Sequence, residues 1–321
     1  MGILYAGFIG FVLLLLALDL GVFHRTAHVI TVREALKWSA LWISIGLAFS
    51  GFIYVAYDHH WFGLGSGAHA ADGYHAFGSY LTGFVVEKAL AVDNIFVIAM
   101  LFTLLRVPPI HQHRVLFWGI VGALLMRGLM IGVGAALIAQ FTWILYVFGA
   151  FLLITGIKML VTHDDHEVKE SFLVRTVRRI LPVTDELHGS AFFVRLANGA
   201  RRGTPLLLAL VLVELSDVLF AVDSIPAVFA VTTDPFLVFT SNVFAILGLR
   251  SLFFALAGMM ERFKYLGTAL AIVLIVIGVK MLAHDFLHEL LGAHFNLYML
   301  GVIAAILAVG VTASLVSTRE T

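Results

Sequence analysis

The chain has no cysteine, and only 12% of its 321 residues are charged. Without thiols, disulfides and thiolate metal sites are excluded. So little charge beside 61% hydrophobic residues excludes a soluble globular domain. Proline is scarce too, at six residues, and one of them, Pro226, falls inside an apolar run. No phosphate-binding glycine loop, HExxH zinc motif or nucleophile motif occurs. The net charge is zero, and no nucleic-acid partner is expected.

Apolar sequence is what the chain has in abundance. Runs of membrane-spanning length recur near 3–23, 36–57, 78–105, 115–139, 142–161, 205–232, 236–259, 265–283 and 296–316. They are apolar on every face, whereas strands of a membrane barrel alternate, so the expected fold is an all-α bundle of nine transmembrane helices in the lipid bilayer. The first run has no positive residue before it and no small-residue cleavage site after it, and reads as a retained helix. Fifteen Lys and Arg fall in alternate loops: Arg25, Arg33 and Lys37; Arg106 and Arg114; seven between Lys169 and Arg202; Arg262 and Lys264; and Arg319. The other loops hold none, which predicts an outside amino terminus and an inside carboxyl terminus.

The chain also resembles itself. "EKALAVDNI" at 87–95 aligns with "DVLFAVDSI" at 217–225, pairing Glu87 with Asp217 and Asp93 with Asp223. Arg127 falls near Arg250, and "GIKML" at 156–160 matches "GVKML" at 278–282. Two three-span units, 78–161 and 205–283, would then be inverted relative to each other, an arrangement secondary transporters use to build a midplane site. Two peripheral spans (1–77), a cytoplasmic loop (162–204) with a short amphipathic helix near 171–181, and a final span (284–321) complete the organisation.

A carboxylate at the centre of a spanning helix costs about 2.5–3.5 kcal/mol on insertion scales, so several need a shared purpose. Glu87 and Asp93 lie in span three, and Glu214, Asp217 and Asp223 in span six. Asn94, Ser216, Ser224 and Asn242 would add neutral oxygens. Pro226 is expected to bend span six and free the carbonyl of Val222. Such an all-oxygen site suits hard ions such as Mn²⁺, Mg²⁺ or Ca²⁺. The competing reading pairs the acids with Lys88, Arg127 and Arg250 as helix ties, but five acids face three bases. Asp19, near the cytoplasmic end of span one, is a sixth candidate within reach of interfacial water. Lys158 and Lys280, at opposite membrane edges, are expected to snorkel. The 14 histidines lie in loops or at span ends, and His284 and His288 of "HDFLHE" form a candidate surface metal pair, with "HDDHE" at 163–167 as its distant partner.

The stretches "EKALAVDNIFV", "ELSDVLFAVDSIPAVFAVTTDPF" and "TSNVFAILGLRSLFF" resemble the TerC family of bacterial integral membrane proteins, most strongly from about 80 to 285. That resemblance implies a manganese exporter of the bacterial cytoplasmic (inner) membrane with nine spans and a central acidic site, whose acidic positions match Glu87, Asp93, Glu214, Asp217 and Asp223. The expected activity is therefore export of Mn²⁺ as a transported substrate, with protons as the exchange partner, and not an enzymatic reaction. No organic cofactor is expected. Two other classes stand beside it: a non-transporting scaffold acting through 162–204, and a membrane metalloenzyme built on "HDFLHE".

Overall fold

The computed structural model describes residues 2–21, 30–66, 70–161, 174–184, 186–196, 199–256, 265–283 and 295–317, with side chains 19–21, 93 and 295–297 outside that set. Ten named helices carry the fold: α1 (Gly2–Gly21), α2 (Val32–Asp58), α3 (Gly73–Leu104), α4 (Pro109–Gln140), α5 (Ile144–Val161), α6 (Pro205–Phe229), α7 (Pro235–Ile246), α8 (Leu249–Leu256), α9 (Leu266–Leu282) and α10 (Phe295–Ser317). Five of them, α2, α4, α5, α6 and α10, are long and apolar enough to cross a membrane, and α7 with α8 makes a sixth if the bent pair is one span. Gly2–Leu18 and Leu266–Leu282 are shorter apolar helices, and α3, 32 residues long, carries Glu87, Lys88 and Asp93. Large apolar side chains such as Leu125, Leu129, Ile154, Leu219 and Val309 lie exposed on these helices, a surface suited to acyl chains and not to water.

Helix starts explain where the apolar runs understate helix length. Asp72 caps α3 by accepting from the His75 amide at 2.7 Å, which adds a polar turn before the hydrophobic segment begins. Pro109 opens α4 with its φ already helical, so the polar stretch "PIHQHR" is helix too. Asp234 caps α7, accepting from the amides of Phe236 at 2.9 Å and Leu237 at 3.4 Å. The same buried carboxylate accepts the Tyr57 hydroxyl at 2.7 Å, tying the end of α2 to the start of α7. Tyr57→Phe removes the donor and leaves a buried carboxylate oxygen short of a partner. It is expected to destabilise the protein by about 1–3 kcal/mol, read as a lowered melting temperature of the detergent-purified protein.

The expectation of a break at Pro226 is corrected. α6 runs unbroken from Pro205 to Phe229 with Pro226 inside it. A proline in the last turn leaves little helix beyond it to bend, and the chain keeps its ladder there, the Ala230 amide donating to the Pro226 carbonyl at 2.9 Å. The break falls instead in the run expected at 236–259, where α7 and α8 meet at 41°. Gly248 stands at that joint with φ +82°, and a Cβ there would lie 2.6 Å from the Trp42 Cβ. Both the backbone conformation and the close approach of α2 require glycine.

The remaining packing sets the frame of the site. Phe8 of α1 and Phe49 of α2 meet Phe244 of α7 at 5.8 and 4.6 Å between ring centroids. Tyr80 of α3 donates to the Gly46 carbonyl of α2 at 2.9 Å. α5 and α9 run in near backbone contact, with room for a Cβ at Gly278 closed off by Leu153 N at 2.8 Å and Gly149 O at 2.9 Å. Between α5 and α6 the described chain forms a helical turn at 174–180 and an antiparallel ribbon, β1 (Phe193–Arg195) with β2 (Arg201–Gly203). The short helix was expected; the ribbon was not, because strands of three residues leave no periodic signal.

Candidate functional site

Arg127 is the centre of the polar interior. It comes from the middle of α4, is 2% exposed, and reaches acids on two other helices. Its Nε and Nη2 donate side-on to Asp217 of α6, at 3.2 Å to Oδ2 and 2.9 Å to Oδ1. Nη1 donates to Glu87 Oε1 of α3, to Ser224 Oγ at 3.3 Å and to Asn242 Oδ1 of α7 at 3.2 Å. Four helices thus meet on one guanidinium, whose fixed fork of donors suits several acceptors at once. Asp217 and Ser224 both reach it because seven residues are close to two full helical turns.

The other oxygen donors surround this knot. Asn94 Nδ2 lies 3.5 Å from Asp217 Oδ1, the outer limit of a hydrogen bond. Asn242 donates its amide to the Val238 carbonyl at 3.1 Å, which aims its oxygen at Arg127. Ser216 turns back to the Leu212 carbonyl at 2.8 Å. Glu214 is half-buried and packs its carboxylate against Gly122 of α4, where any Cβ would collide with it. Asp223 is also half-buried, on a different face of α6 from Ser224. The side chains of Asp93 and Asp19, and the motifs at 163–167 and 284–289, lie outside the described residues.

Among the described residues, two buried oxygens at the knot have no hydrogen-bond partner: Glu87 Oε2 and Asn94 Oδ1. Glu87 is 0% exposed, so water does not satisfy it from outside. Buried polar atoms are almost always paired, and unpaired ones mark a place where an ion or water belongs. Two carboxylates against one guanidinium also leave the knot one negative charge in excess when all are ionised. Among the described residues no three His, Asp or Glu side chains converge as a ready-made metal cage.

Other basic residues in the helices bind backbone carbonyls and a histidine ring. Lys88 of α3 donates to the carbonyls of Ala245 at 2.8 Å and Leu247 at 3.3 Å, the last acceptors of α7 before its break. A cation there complements the negative end of a half-helix. Lys280 does not snorkel: it is 3% exposed and donates to the Ala230 carbonyl at the end of α6, 2.8 Å away. Arg250 of α8 lies 2.9 Å from His113 Nε2 of α4; since arginine only donates, that ring nitrogen is the acceptor and the proton sits on Nδ1. Sequence reasoning missed the pairings of His113 and Lys280, because each depends on which helices become neighbours. Asp234 was missed as well, although Asp before Pro at a helix start is a cap signature that could have found it.

Residues 73–321 match the family described as integral membrane protein TerC family. The chain belongs to that family. A protein of Myxococcus xanthus called uncharacterized membrane protein STKORF319 is 49% identical over 319 residues, covering 99% of this chain and 93% of that one. "Putative membrane-bound redox modulator Alx" of Escherichia coli K12 is 49% identical over 288 residues, 89% of this chain and 87% of the relative. A membrane protein of Rickettsia bellii is 40% identical over 298 residues, 91% and 93% of the two chains. No solved structure matches the chain. The TerC family assignment, with the apolar helices above, makes this an integral multi-pass membrane protein.

Proposed function

We propose that this TerC family member is a secondary transporter that exports Mn²⁺ from the cytoplasm through a midplane carboxylate site, with protons exchanged for the ion. The observation that carries this reading is a pair of buried oxygens, Glu87 Oε2 and Asn94 Oδ1, that have no partner among the described residues, beside a knot with more carboxylate than base. In the metal-free state Arg127 supplies the positive charge; the cation enters against Glu87, Asn94 and Asp217, with Asp93, Glu214 and Asp223 completing the ligand set. Manganese, as against Mg²⁺ or Ca²⁺, comes from the family resemblance, since oxygen ligands alone suit all three. Export against an inside-negative potential costs about 4.6 kcal/mol per 100 mV for a dication, which proton return would offset.

The reading includes nine crossings, an outside amino terminus, an inner-membrane location and two inverted three-helix units. Supporting the inverted units, Arg127 joins Glu87 to Asp217, the residues the internal repeat pairs. In the same sense, α3 packs on α7 as α6 packs on α4, and α5 packs on α9. The redox role in the name of the Escherichia coli relative finds no thiol here to act through, because the chain has no cysteine.

A scaffold reading is favoured by one observation, that Glu87 and Asp217 are both held by Arg127. Glu214→Gln separates the two, because Glu214 makes no ion pair among the described residues. In proteoliposomes loaded with a Mn²⁺ indicator under an imposed pH gradient, the amide variant is expected to lose about 10- to 100-fold in transport affinity while remaining monodisperse. Mg²⁺, Ca²⁺ and Zn²⁺ run in parallel to fix ion preference. Wild-type flux from Glu214→Gln, or no flux from the unaltered protein, defeats the transporter reading.

A further inference from the structure

The ribbon before α6 borders an open-mouthed cavity of about 260 Å³ lined by Leu181, Pro182, Phe193, Arg201, Gly203 and Leu207. Its walls are apolar apart from one guanidinium. Arg201 lies over the Phe193 ring at 4.5 Å and, among the described residues, spends none of its N–H groups on a hydrogen bond. A guanidinium placed over an aromatic ring and with its N–H groups otherwise unspent is ready for an oxyanion.

The position of this cavity selects the kind of oxyanion. Leu207 is in the first turn of α6, a membrane-span candidate that begins at Pro205, so the cavity floor lies at the depth where headgroups give way to acyl chains. Thr204 binds the ribbon to that helix start, its hydroxyl donating to the Ala191 carbonyl at 2.7 Å. Arg114 of α4 braces the other side, donating to Ser190 Oγ at 2.9 Å with its guanidinium 5.0 Å from the Phe192 ring centroid. The outer surface combines exposed apolar groups with base: Ile180 is 77% and Phe193 48% exposed, beside exposed Arg178, Arg179 and Arg202. Apolar surface between arginines at the end of a membrane helix matches an anionic bilayer surface.

We propose that the ribbon cavity binds an anionic phospholipid, with the glycerol and upper acyl region against Leu181, Pro182 and Leu207 and the phosphate on Arg201. A free phosphate would use the guanidinium but leave the apolar walls wet; a zwitterionic lipid would fill the walls but bring no net charge. The site shares no residue with the Arg127 knot and does not depend on which ion the protein moves.

The test uses full-length protein in a mild non-ionic detergent and a fluorescent short-chain phosphatidylglycerol. Phosphatidylglycerol is expected to bind at least about fivefold more tightly than the matching phosphatidylcholine, the effect of one basic residue near an anionic surface. Arg201→Gln should abolish that preference, and Leu207→Trp should weaken both lipids by filling the cavity. Arg201 is on the exposed face of β2, so its variant remains informative if Leu207→Trp misfolds. Inorganic phosphate at equal concentration should not displace the lipid. Equal affinity for the two lipids, an unaltered Arg201→Gln preference, or full displacement by inorganic phosphate overturns the proposal.

Discussion

Arg127→Met should destabilise the protein by about 3–5 kcal/mol, the range for removing one partner of a buried ion pair, because two buried carboxylates lose the one base that pairs with them among the described residues. Glu87 and Asp217 would face apolar helix with no counter-charge, and Ser224 and Asn242 would each lose a donor. Arg127→Lys should rescue little, since one ammonium cannot grip Asp217 through two nitrogens while also reaching α3 and α7. The sharper check is the triple variant with Glu87→Gln and Asp217→Asn, in which the charges left behind are gone; it should melt well above Arg127→Met alone. Thermal unfolding of the purified proteins decides it. An Arg127→Met protein that melts with the wild type would mean that the two acids are neutral in the folded state.

The second large effect concerns the joint between α7 and α8. Gly248→Ala forces a side chain into a left-handed backbone, at about 1–3 kcal/mol, and drives its Cβ into Trp42. Either α7 and α8 realign or Trp42 leaves its buried place on α2, and both changes disturb the carbonyls of Ala245 and Leu247 that Lys88 holds. The variant should express poorly or melt many degrees below wild type. Pairing it with Trp42→Ala removes the ring contacts but neither the Cβ–Cβ collision nor the backbone cost, so the double variant should recover little of the Gly248→Ala loss. Full stability in the single variant would place the joint elsewhere.

Much of the architecture was legible because lipid imposes a simple rule: a crossing helix needs a long apolar run, and such runs are hard to mistake. Helix ends were less so, as the polar openings of α3 and α4 depend on Asp72 and Pro109, whose effect lies in local backbone geometry and not in hydropathy. The break was sought at Pro226, since proline is the usual breaker, yet its place in the final turn spared α6, and the joint formed at a glycine that the neighbouring Trp42 makes irreplaceable. Within the site, Glu87, Asp217, Arg127 and Asn242 were all named from sequence, because charge in an apolar run is conspicuous. Their pairing was not: that Lys88 caps α7 while Arg127 takes two acids depends on the register of α3 against α7, which no single helix encodes.

α4 is one rod of 32 residues, whereas the arm formed by α7 and α8 is jointed at 41°. The polar cluster therefore hangs between a stiff strut and an elbow. Asn242 sits on the upper limb of the elbow and Arg250 on the lower, one reaching to Arg127 and the other to His113 on the same strut. Any flexion at Gly248 would therefore bear on Arg127 and His113 through separate limbs, as a shear across the centre and not a uniform spreading of the bundle.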